Sequence, residues 1–139
     1  MEPITVSGTL DSLGTIAQYV TSAAATAGLD KKTTYRLRLA VDEIATNIIV
    51  HGYEEAGMEG EVNLSALLDE QHLTIYLEDT GDRYDPTQRG IPEGLDKPLE
   101  DRQIGGLGVY LTIQGVDQFL YQRVGDRNRN IFVVNRPAN

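Results

Sequence analysis

The chain has 139 residues, a formal net charge of −9 and no cysteine, with 40% hydrophobic and 24% charged residues. That length holds one buried core, and the composition is that of an ordinary globular protein. The acidic balance argues against a nucleic-acid backbone or an anionic lipid surface as partner. The missing thiols exclude disulfides, thiolate metal sites and cysteine nucleophiles.

The first nine residues lack a basic start followed by an apolar stretch, and no apolar run approaches the roughly 20 residues that span a bilayer. A cytoplasmic protein with neither nucleic acid nor membrane as partner is therefore expected. Ile4 and Val6 give a short extended start, and Asp11-Ser12 reads as a helix N-cap region. Leu13, Ile16, Ala17, Val20, Ala24 and Ala27 recur at helical spacing, closed by Gly28 at the C′ position. Asp30 caps a second helix, whose stripe Leu37, Val41, Ile44 and Ile48 runs to about His51 and is ended by Gly52.

The period then changes to two. Val62 to Leu68 and His72 to Glu78 read as strands joined closely enough to form an antiparallel hairpin. Between Gly81 and Gly106 lie Pro86, Pro92 and Pro98 with many charges and almost no apolar periodicity, the signature of a lid or binding loop. A short helix is predicted over Leu107 to Gly115, a less regular strand over Val116 to Val124, and a buried strand over Asn130 to Asn135. The order β-α-α-β-β-loop-α-β-β implies an α+β, two-layer sandwich, with helices on one face of a mixed, mostly antiparallel sheet. Residues 1–139 form one domain in this reading, with its core at about 12–134.

Three places carry chemistry. Glu43 and Asn47 stack four residues apart beside the apolar stripe. There an amide oxygen suits Mg²⁺ and a carboxylate can deprotonate a hydroxyl, although an amphipathic helix shows the same polar flank. Asp79 follows a strand and Gly81 comes two residues later. That carboxylate can accept a hydrogen bond from an exocyclic amine while the glycine admits a flat ring, although Asp-Thr-Gly is also common turn chemistry. Gly105-Gly106-Leu107-Gly108 opens a predicted helix, where backbone N–H groups and the helix dipole favour phosphate, although it is also what a loop hinge looks like. No Walker A pattern occurs.

The succession of these motifs resembles the Bergerat-fold, histidine-kinase-like ATPase superfamily. Leu39-Ala40-Val41-Asp42-Glu43-Ile44-Ala45-Thr46-Asn47 with His51-Gly52-Tyr53 is similar to the N-box of the anti-sigma factor serine/threonine kinases. Gly105-Gly106-Leu107-Gly108-Val109-Tyr110-Leu111 is similar to their second glycine box. The resemblance implies ATP and Mg²⁺ as cofactors, with Asn47 on the metal and Glu43 as base toward a substrate serine or threonine. It further implies that Asp79 receives the adenine amino group beside Gly81. Gly105, Gly106, Leu107, Gly108 and Val109 would then approach the phosphates, and Lys97 in the lid either contacts phosphate or is a solvated loop lysine. Many members carry Gly-Thr near the last strand. Here Asn128-Arg129-Asn130-Ile131 stands instead, with Asn130 able to supply a hydrogen bond.

The resemblance implies an enzyme that phosphorylates a small anti-sigma-antagonist-like protein in a partner-switching pathway, with a sigma factor as a further partner. The alternative is a binding module that uses nucleotide only to set its conformation and sequesters a sigma factor or other regulator. A homodimer is expected, either through the small residues of the first helix or with that helix buried in its own protomer. Arg123, Arg127 and Arg129 either meet an acidic partner or form a solvated edge.

Overall fold

The computed structural model describes residues 1–81, 83, 85, 86 and 113–137. Strand β1 (Ile4–Ser7) leads through a 3-10 turn into helix α1 (Leu13–Ala27), followed by helix α2 (Lys31–Asn47). Strands β2 (Glu61–Leu68), β3 (His72–Asp79), β4 (Gln118–Val124) and β5 (Arg127–Asn135) complete the architecture. They form one sheet of order β1-β2-β3-β5-β4, and all four of its pairings are antiparallel. The fold is the expected α+β arrangement. The lid expected over Gly81–Gly106 lies almost wholly outside the described residues, as does all but the end of the helix expected over Leu107–Gly115.

The helix ends follow from local chemistry. Gly28 adopts φ +77°, and Leu29 N–H bonds back to the Ala24 carbonyl at 3.0 Å, so the orphan carbonyls of α1 are met by a left-handed C-cap. Asp30 caps α2 by accepting from Thr33 N–H at 2.7 Å. Ser12 departs from expectation: it makes no side-chain cap, and its hydroxyl bonds Ser7 at 3.0 Å, tying α1 to β1.

Gly52 does not end the second helix. The chain continues in wider, π-type turns over Ile48–Glu54, with Glu55 N–H to Val50 O and Met58 N–H to Tyr53 O both at 2.8 Å. That i→i−5 spacing is the π pattern, common where a helix must re-aim side chains. Here it drives Tyr53 inward, where it is 1% exposed.

Tyr53 then locks the layers together. Its hydroxyl donates to Glu61 O at 2.7 Å and accepts from Thr80 N–H at 3.0 Å. Its ring lies between Gly8 and Gly60, which are joined by a 2.8 Å backbone bond. A Cβ at either glycine would fall 2.5 Å from a ring carbon.

The core lies between the helices and one sheet face. Leu37, Val41 and Ile44 of α2 pack with Leu64, Leu73, Ile75, Leu77 and Phe132 of the sheet, all essentially buried. Each contributes about 1.5–3 kcal/mol by leaving water. The alanines of α1 also face inward, Ala23, Ala24 and Ala27 being buried in the protomer's own core. Of the two readings of that helix, the structure supports internal packing.

Gly60→Ala is expected to destabilise the protein by about 1–3 kcal/mol, because the added methyl must displace the Tyr53 ring. Denaturant unfolding checks this, and an unchanged midpoint would show that Tyr53 is free to move.

Candidate functional site

Strand parity puts a carboxylate into the core. Along β3 the inward residues are Leu73, Ile75, Leu77 and Asp79, so the apolar row ends on an acid that is 1% exposed. Asp79 Oδ1 accepts from Gly81 N–H at 2.9 Å and from Asn128 Nδ2 at 3.0 Å. Among the described residues its second oxygen, Oδ2, is buried without a hydrogen-bond partner. Burial pushes the Asp79 carboxyl up, against the pull of the Asn128 amide, the Gly81 N–H and the nearby Arg123.

A buried lone acceptor costs roughly 1–3 kcal/mol and is rare in native structures. One that can accept a single hydrogen bond suits an amine-bearing ring. Gly81 is required by packing within the protein: a Cβ there would lie 2.9 Å from the Gly52 carbonyl and 3.1 Å from Asp79 Oδ1. Gly81 is thus pressed between the π turns and the acid, and nothing larger fits.

The residue that supports Asp79 is Asn128, which the sequence reading passed over in favour of Asn130. Register explains the difference. Asn128 lies opposite Asp79 across the β3–β5 ladder, whereas Asn130 lies opposite Leu77. Asn130 is buried on the same face, with its Oδ1 unpartnered among the described residues. Asn128 Nδ2 also reaches Gly81 O at 3.2 Å, while its Oδ1 accepts from the Tyr121 hydroxyl. That tyrosine fixes the amide so that its NH₂ faces Asp79. The only signal available in sequence was the period of β5, which starts at Arg127 rather than Asn130.

Glu43 and Asn47 come from the last turns of α2. Asn47 is buried and donates Nδ2 to the Glu43 carbonyl at 3.0 Å, which leaves its Oδ1 as the group able to ligate a hard cation. Glu43 is partly exposed. Desolvation raises its carboxyl above the ordinary range, opposed by the Asn47 side chain and reinforced by the charge of Asp42. Among the described residues no group of three or more His, Asp or Glu side chains gathers for a metal. A cation at Asn47 would therefore need ligands from elsewhere, such as phosphate oxygens. Lys97, Gly105, Gly106, Leu107, Gly108 and Val109 lie outside the described residues.

The arginines near the end are engaged. Arg127 and Arg129 contact Glu78 at 3.4 and 2.9 Å, and Arg123 reaches Gly81 O at 3.3 Å.

These features define a class. Residues 6–133 match the family model described as the histidine kinase-like ATPase domain, and the chain belongs to that family. It is 32% identical over 89 residues to the serine/threonine-protein kinase BtrW of Bordetella bronchiseptica, covering 64% of this chain and 61% of that protein. It is 30% identical over 113 residues to the serine-protein kinase RsbW of Halalkalibacterium halodurans, covering 78% and 67%. Among solved structures, the histidine kinase domain of the Erythrobacter litoralis EL346 blue-light activated histidine kinase superposes with a TM-score of 0.53 at 24% identity. That match covers 88% of this chain and 58% of the other, and shows the shared fold. The chain thus spans about 60% to two thirds of the length of these relatives. The family resemblance drawn from the N-box and the glycine box is borne out.

Asp79 also sets a pH dependence. Its folded pKa is raised, so its favourable contribution is present below the unfolded value of about 3.9 and is lost as pH rises through the folded value. Asp79→Asn removes that loss. Thermal unfolding between pH 4 and pH 8 should show a shallower decline in Tm for the variant than for the parent. Parallel declines would place the cost in another group.

Proposed function

We propose that the protein is an ATP-dependent serine/threonine kinase of the anti-sigma type, phosphorylating a small anti-sigma-antagonist-like protein. The observation that carries this reading is the buried, unpartnered Oδ2 of Asp79 beside a glycine with no room for a side chain. In this reading Asp79 accepts the adenine amino group, Gly81 admits the ring, and Asn128 with Tyr121 holds the carboxylate in place.

Bound ATP with Mg²⁺ would supply the transferable γ-phosphoryl group, with ADP as the leaving group and the cation offsetting the charge. Asn47 Oδ1 would hold the cation, and Gly105, Gly106, Leu107, Gly108 and Val109 are the proposed phosphate contacts, joined by Lys97. Glu43 takes the proton from the acceptor hydroxyl. Its desolvated carboxylate is a stronger base than a solvated one, which suits that role. The names of the kinase relatives support the same assignment. No helix is long and apolar enough to cross a membrane among the described residues, and we place the activity in the cytoplasm. A sigma factor is the proposed second partner. The proposed homodimer must use a surface other than the inward alanine face of α1.

Glu43→Gln should lower phosphoryl transfer to a purified antagonist-type protein by about 10²–10⁴-fold while leaving ATP affinity within about twofold. In the parent, the acidic limb of the rate profile should lie above the ordinary glutamate value of about 4.3, since only the carboxylate form acts as base. Transfer that survives in Glu43→Gln would remove the catalytic role of Glu43, whereas ATP binding without any transfer by the parent would leave a nucleotide-dependent binding module.

A further inference from the structure

Helix α2 concentrates positive charge at its N-terminal end. Its first nine residues carry Lys31, Lys32, Arg36 and Arg38 and no acid, in a chain whose formal net charge is −9. All four side chains are exposed. Among the described residues none of them forms a salt bridge, whereas Arg127 and Arg129 pair with Glu78 and Arg136 bonds the carbonyls of Ala27 and Asp69. Asp30 caps Thr33 and feels the charge of Lys32 and Arg36 without pairing with either. The same stretch exposes Tyr35 at 60% and Leu39 at 39%, large apolar groups that the fold does not use. Beside Tyr35 a cleft of about 330 Å³ opens between the helices, lined by Thr21 and Ala25 of α1 with Leu29, Lys31, Tyr35 and Arg38.

Position decides what this surface serves. At 100° per residue, Lys32, Arg36, Leu39 and Glu43 fall within a wedge of about 60° on one side of α2. The track from Lys32 to Glu43 is about 16 Å long at 1.5 Å per residue. A chain lying along it delivers its end to the partly exposed carboxylate of Glu43.

We propose that this face of α2 is the docking track for the phosphoacceptor protein, reading an acidic segment with interspersed apolar side chains next to the acceptor serine or threonine. The inference rests on Glu43 being the base, as argued above. Lys32 and Arg36 supply opposite charge, Tyr35 and Leu39 supply apolar anchors, and the cleft beside Tyr35 receives a side chain of the partner. An acidic protein is favoured over nucleic acid because the track itself carries only two cations, Lys32 and Arg36, in a chain whose formal net charge is −9.

The test uses fluorescence anisotropy of three labelled probes with the full chain: a 15-residue peptide alternating Glu and Leu around one serine, the same peptide with Lys for Glu, and a single-stranded oligonucleotide of matched charge. The acidic peptide should bind most tightly, and Lys32→Glu with Arg36→Glu should weaken it by about tenfold or more. Tyr35→Ala should weaken it several-fold through lost apolar contact, with ATP affinity and unfolding temperature unchanged in both variants. Equal binding of the two peptides, tighter binding of the oligonucleotide, or charge reversal without effect would overturn the proposal. The binding readout needs no turnover. Docking with no phosphoryl transfer would count against the kinase reading while leaving the track in place.

Discussion

The hydroxyl of Tyr53 is the point at which the helix layer and the sheet are tied. One oxygen donates to the start of β2 at Glu61 and accepts from the backbone just beyond β3 at Thr80. Two glycines leave room for the ring and for nothing larger. Because Thr80 is held, Gly81 is pressed against the Gly52 carbonyl and the end of β3 is fixed under the π turns. Those turns continue directly from Asn47, the last residue of α2. A single buried tyrosine therefore joins the helix end that carries Asn47 and Glu43 to the strand end that carries Asp79.

The site is built at the cost of local stability. An apolar strand row that closes on a carboxylate forfeits solvation, and among the described residues only one of the two Asp79 oxygens is compensated. Such unsatisfied groups persist where the rest of the fold outweighs them, and the core of α2, β3 and β5 does so here. The support for Asp79 comes from an amide whose orientation is set in turn by Tyr121, so the geometry is held by three side chains rather than one.

Much of this was legible in the sequence because it depends on local periodicity. The span of α1 and its glycine cap, the Asp30 cap of α2, and the β2–β3 hairpin are all matters of spacing and turn chemistry, and they appear as read. What escaped depends on contacts between distant segments. Nothing near Gly52 announces that the helix widens instead of ending, since the reason is the inward pull on Tyr53 from Gly8, Gly60 and Thr80. Asn128 escaped because its role is set by ladder register across β3 and β5, which two separate stretches of sequence do not reveal. The cations of α2 were legible as residues, yet their shared face with Glu43 emerges only once the helix is fixed against the core.

In the proposed reading Asp79 offers its buried acceptor to the amino group of adenine. Calorimetric titration of the protein with ATP and with GTP, in the presence of Mg²⁺, tests it most directly. ATP carries an amino group where GTP carries a carbonyl, which would set two acceptors against each other in a dry site. ATP should therefore bind tighter by roughly a hundredfold or more. Equal affinity for the two nucleotides would contradict it.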